Sequence, residues 1–85
     1  LKQGNLPEAE QFIQQSLKLA QDNQDKILEG YAWRALGEVA LALGNRDQAK
    51  ENLDQAVALF GTINLPAEIE KTSRISQANG LSFAP

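Results

Sequence analysis

Apolar residues return along this chain at helical spacing, and the clearest run lies between Tyr31 and Phe60. Ala32, Trp33, Leu36, Val39, Ala40 and Leu43 recur three and four positions apart, which gives a helix one apolar face. Ala49, Leu53, Ala56, Val57 and Phe60 repeat the pattern after an interruption at Gly44-Asn45. Glycine takes the left-handed conformation that closes a helix. Asparagine starts the next one well, since its side chain can cap free backbone N–H groups, and Gln48 three residues on completes a capping-box-like pair. The pattern therefore predicts an antiparallel helical hairpin with a corner at Gly44-Asn45.

The same pattern occurs forty residues earlier. Leu1 matches Leu41, Gly4 Gly44, Asn5 Asn45, Ala9 Ala49, Gln15 Gln55 and Leu19 Leu59, and Ile13/Leu53, Leu17/Val57 and Ser16/Ala56 are similar in kind. Gly4-Asn5 is then a second corner, with Glu8 completing a capping box. Leu1-Lys2-Gln3 are the last turn of a helix, and residues 6–22 are the next helix. Asp22-Asn23-Gln24-Asp25 is polar and holds caps, so another helix starts near Asp25, with extended helices expected around residues 20–30. After Phe60, Gly61 is expected to end the helix and Asn64 to cap the next. Pro66 suits a first helical turn. Residues 66–78 carry sparse apolar positions, Ala67, Ile69, Ile75 and Ala78, with Ser73 and Ser76 near where Trp33 and Leu36 would map. Residues 80–85 have no periodicity and read as a frayed tail.

The central hairpin resembles a tetratricopeptide repeat, whose pattern is W-x2-L-G-x2-Y, then A-x3-F, then P. Trp33, Leu36 and Gly37 stand at matching spacing, Ala49 and Leu53 occupy the A-x3-F pair, and Ala56 is the usual small residue of the second helix. Ala40 replaces the Tyr and Gly61 the Pro. The forty-residue interval exceeds the usual thirty-four. With the wording L-A-L-G-N-R-D-Q-A it looks like the long-repeat variety found in bacterial regulatory proteins. The resemblance implies an all-α, right-handed α-solenoid of antiparallel helical hairpins. On that reading residues 1–24 hold the second helix of a truncated repeat and residues 25–61 a complete hairpin. Residues 62–85 hold the first helix of a third repeat, or a capping helix, with its tail.

Composition narrows the chemistry. There is no histidine and no cysteine, so the commonest general base, thiolate ligands and disulfides are all missing. No nucleophile–base set can be assembled and no glycine-rich phosphate loop occurs, so neither enzyme activity nor a cofactor is expected. A net charge of −3 argues against a nucleic-acid partner, which calls for a basic face. No apolar run is long enough to span a bilayer and no signal-peptide pattern opens the chain, so a cytoplasmic location and no membrane partner are expected. Methionine is absent even at position 1, as in a piece of a longer protein.

Most charged clusters have plain readings. Glu8/Glu10 and Glu68/Glu70 fall in first turns, where the helix dipole favours carboxylates. Asp22 to Asp25 lacks the order of a calcium loop and reads as a linker with caps. Trp33 reads as core. Asp47, Lys50, Glu51 and Asp54 read as a solvated outer face.

One stripe is more informative. Tyr31, Arg34, Glu38, Leu41 and Ala42 share a side of their helix, rotated away from Leu36, Val39 and Leu43. The family resemblance implies that first helices line a groove holding a partner's segment, and an aromatic, a cation, an anion and an aliphatic suit a peptide. The competing reading packs Tyr31 and Leu41 on neighbouring helices and leaves the charges in water. Glu38 stands where an asparagine would help to clamp a terminal carboxylate, so that ligand is not expected. The function expected is protein–protein interaction within a larger regulatory protein, the alternative a structural spacer or self-association segment. The isolated chain is expected to self-associate through the apolar side of helix 6–22, with Phe12, Ile13 and Leu17.

Overall fold

Four helices occupy residues 6–81, the part of the chain that the computed structural model describes: α1 (Leu6–Asp22), α2 (Lys26–Ala42), α3 (Arg46–Thr62) and α4 (Pro66–Ala78). Each packs on the next, and among the described residues there is no strand. The expected all-α stack of helical hairpins is the observed architecture. The corner at Gly4-Asn5, the turn at Leu1-Lys2-Gln3, the Asn5–Glu8 capping box and residues 82–85 of the expected tail lie outside the described residues, while its first two residues are not frayed: Gly80 closes α4 and Leu81 is buried.

The turns explain the regularity. Gln24, Gly44, Asn64 and Gly80 all take positive φ, between 56° and 79°. The N–H of the following residue donates to a carbonyl five positions back: Asp25 to Ala20, Asn45 to Ala40, Leu65 to Phe60 and Leu81 to Ser76, at 2.8–2.9 Å. The left-handed residue donates to the carbonyl three positions back. This is the Schellman closure, which satisfies the last free carbonyls of a helix. Left-handed residues at 24, 44 and 64 leave three 17-residue helices, each followed by a three-residue turn. The extra repeat length is therefore shared among the helices and is not gathered near residues 20–30.

Several local expectations need correction. Asn45 precedes α3, but its side chain makes no cap bond, and Gln48 Nε2 donates instead to Asn52 Oδ1 at 3.1 Å. Asp25 is the side chain that caps, its Oδ1 accepting from Leu28 N–H at 3.0 Å. Gly61 does not end α3, which runs on to Thr62, and Asn64 supplies the left-handed turn residue while Leu65 holds the cap position. Leu43 is 48% exposed at the corner, so it does not belong to the apolar face of α2.

The core lies between α2 and α3. Phe60, Leu53, Ala49 and Ala56 of α3 are fully buried, and Leu36, Val39, Ala32 and Ala40 of α2 nearly so. Burying Phe60 and Leu53 contributes about 1.5–3 kcal/mol each. Two glycines let the helices meet closely. A Cβ on Gly30 would sit 2.5 Å from the Phe60 ring, and one on Gly37 2.7 Å from Leu53. Trp33 is half-buried on the same hairpin. The α3–α4 junction is more polar. Thr72 and Ser76 are its buried α4 residues, and Leu81 and Ile75 join Ala40, Leu41, Ala49 and Leu53 at the far end. Ser76 is buried forty positions after Leu36, so a small polar residue fills the register position of a large apolar one.

Candidate functional site

The stripe on α2 faces α4, and the structure divides it in two. Arg34 is taken up in packing between helices, while Tyr31 touches its neighbours with one side of its ring and stays 39% exposed. The Tyr31 ring meets Phe60 edge-on, with centroids 5.7 Å apart. The Arg34 guanidinium lies 5.1 Å from the Tyr31 centroid and 5.6 Å from that of Phe60, within cation–π range. Arg34 Nη1 donates to Glu68 Oε1 at 2.9 Å and reaches 3.5 Å from Thr72 Oγ1, whose hydroxyl donates to the Glu68 backbone carbonyl. Both charged side chains are more than four-fifths withdrawn from solvent.

Glu68 stands in the first turn of α4 as expected, and it also joins two helices that are not consecutive in the chain. The hydrogen bond from Arg34 holds its carboxyl below the usual carboxylate range, and the nearby Lys71 adds to the effect. Glu70, by contrast, stays on the surface and pairs with Arg74 one turn on.

Glu38 and Leu41 have a different setting. They line an open cleft of about 440 Å³ whose other wall is Arg74, Ile75, Ala78 and Asn79 of α4. Leu41 and Ile75 pack against the core beneath it. Glu38 is exposed and takes no part in the ion pairs found among the described residues. Ala42 is exposed at the end of α2 and does not line the cleft. Among the described residues no group of His, Cys, Asp and Glu could hold a metal ion.

The lining of the α4 wall by Arg74, Ile75, Ala78 and Asn79 does not follow from the resemblance, which marks α4 only as a first helix. Its one sequence signal is the forty-residue interval, which carries Arg34 onto Arg74 and Leu41 onto Leu81. Nothing local in the sequence marks Glu68 as the partner of Arg34, because their meeting depends on α2 and α4 lying side by side over α3.

Stacked antiparallel hairpins with first helices side by side define an α-solenoid built from helical repeats. The family model of the tetratricopeptide repeat matches residues 1–61, and the chain belongs to that family. No curated protein matches the chain, and no solved structure does. Membership makes the chain a helical-repeat module of the kind that mediates protein–protein interaction. Among the described residues no helix is long and apolar enough to cross a membrane.

Proposed function

We propose that the face shared by α2 and α4 holds a segment of another protein, and that the chain serves as the interaction part of a larger regulatory protein. The observation that carries this is the cleft between Glu38/Leu41 and Arg74/Ile75: one wall from each first helix, an aliphatic floor, and charged side chains at the rim. A few polar groups around an apolar floor is the ordinary make-up of a binding pocket. Tyr31, Arg34 and Ala42 flank this contact, Arg34 by fixing α4 against α2. The chain divides on this reading into a second helix (1–24), a complete hairpin (25–61) and a third first helix with its tail (62–85). The forty-residue interval favours the long-repeat variety of bacterial regulatory proteins acting in the cytoplasm, with no catalysis of its own and with neither nucleic acid nor membrane as partner.

Selection of displayed random peptides on the 85-residue chain tests the reading. Enriched peptides that lose binding with Ile75→Glu and keep it with Phe12→Glu support it. Peptides that bind only the α1 face, or no enrichment at all, sink it.

One observation favours the spacer reading. Tyr31 and Arg34, two of the five stripe residues, already contact neighbouring helices. Under that reading the α2–α4 face is a strut, and no selected peptide is sensitive to Ile75→Glu.

A further inference from the structure

The α2–α4 cleft carries one carboxylate, Glu38, and one cation, Arg74, and it lies toward one end of the two helices. Leu41 belongs to the last turn of α2 and Glu38 to the turn before it, Ile75 and Ala78 to the last turn of α4, and Asn79 is the cap residue after it. The aligned peptide dipoles leave each C-terminus partly negative, although its last carbonyls already accept the closing bonds of the turn. A basic residue usually answers that charge, yet neither helix has one in its last turn. Glu38 adds a full negative charge without an ion partner among the described residues. Asn79 Nδ2 donates to the Ile75 carbonyl at 2.8 Å, which leaves its Oδ1 as an acceptor. The one cation on the wall, Arg74, pairs with Glu70 one turn away, on the exposed side of α4. Between these groups lie Leu41, Ile75 and Ala78, a floor for methylenes.

Resting on the groove reading above, we propose that this cleft selects a partner segment bearing a lysine. The aliphatic stem lies over Leu41 and Ile75, and the ammonium is set between Glu38, Asn79 Oδ1 and the two helix C-termini. An ammonium with four methylenes matches both the floor and the rim, as long cationic side chains bury their stems and keep their heads wet. The chain's net charge of −3 steers such a segment in at low salt.

Fluorescence anisotropy with three labelled nine-residue alanine–leucine peptides tests this, their central residue being lysine, norleucine or glutamate. The full 85-residue chain is used, and circular dichroism confirms that each variant is folded. The lysine peptide is expected to bind at least about threefold more tightly than the norleucine peptide. Raising the salt from 0.05 to 0.5 M, roughly a threefold shorter screening length, should shrink that ratio. Glu38→Gln should bring the lysine peptide down to the norleucine level, and Glu38→Lys should turn the preference toward glutamate. If the glutamate peptide binds the unaltered chain best, Arg74 governs the cleft and the proposal is overturned. If norleucine and lysine peptides bind alike and both are lost with Ile75→Glu, the lysine proposal fails while the groove reading stands. If none of the three binds, both readings fail.

Discussion

Arg34 on α2 and Glu68 on α4 meet at 2.9 Å across 34 positions of sequence, with the Tyr31 and Phe60 rings beside the guanidinium. They tie a helix to the next but one. A double-mutant cycle of Arg34→Gln and Glu68→Gln should therefore show a favourable coupling at neutral pH. Glu68 titrates below its ordinary value in the folded chain, so its contribution is full above the unfolded value of about 4.3. The contribution falls away as the pH drops through the lowered folded value. Urea melts of the four proteins at pH 7 and at decreasing acid pH check this. A coupling that stays constant into strong acid would mean that charge has no part in the contact.

The caps differ in what they do. Asp25→Ala removes a bond to Leu28 N–H and should cost about 1 kcal/mol. Asn45→Ala removes no cap bond and should cost at most a few tenths of a kcal/mol, as an ordinary exposed substitution does. Thermal melts of the two variants side by side decide it. Equal losses would show that Asn45 caps in solution.

The notch on α2 sets the helix spacing. Gly37→Ala would place a methyl 2.7 Å from Leu53 and should cost about 1–3 kcal/mol by overpacking. Shortening Leu53 to Ala should partly relieve the clash, so the double variant should lose less than the two single losses added. Strict additivity in urea denaturation would remove Gly37 and Leu53 from direct contact.

Two turn residues should respond in opposite directions. Gly44 has φ of 79°, and Gly44→Ala should cost about 1–2 kcal/mol. Gln24 has φ of 56° although it carries a Cβ, so Gln24→Gly should stabilise by roughly 0.5 kcal/mol after the entropy of a glycine is set against the relief. A lower melting temperature for Gln24→Gly would contradict its left-handed conformation.

The exposed side of α1 carries the association prediction. Phe12 is 69% and Leu19 57% exposed, while Ile13 and Leu17 are half-buried. Apolar surface of this kind finds partners. Sedimentation of the 85-residue chain over a concentration series should show growing oligomers, and Phe12→Glu should suppress them. A folded species that stays monomeric at high concentration would rule this out.

The helix boundaries of α1 and α4 and the corner at Gly44 were legible because each rests on a local signal: an apolar period, a proline, a glycine. The turns at Gln24 and Asn64 were not, since neither residue needs the left-handed conformation by itself. Their signal is positional, twenty residues on either side of Gly44. The stripe from Tyr31 to Leu41 was legible as one side of α2. Its division was not, because Phe60 and Glu68 reach Arg34 only through the stacking of three helices. Asn45 shows the reverse failure: a residue well suited to a cap stands in position, while the Schellman bond from its own N–H closes the helix before it.

The even cadence of the turns has a consequence for how such a chain can change in length. One residue advances a helix by about 100° of rotation. A single insertion inside α3, between Leu53 and Phe60, would turn every later side chain by that angle relative to the earlier ones. Phe60 would leave the Gly30 notch, and Glu68 would be carried round to a different azimuth from Arg34. An insertion within the three-residue turns breaks only the closure there, and a lengthened connection can restore the phase. Phase, more than composition, is thus what holds successive hairpins in a common frame, and the corners are where length can vary without losing it.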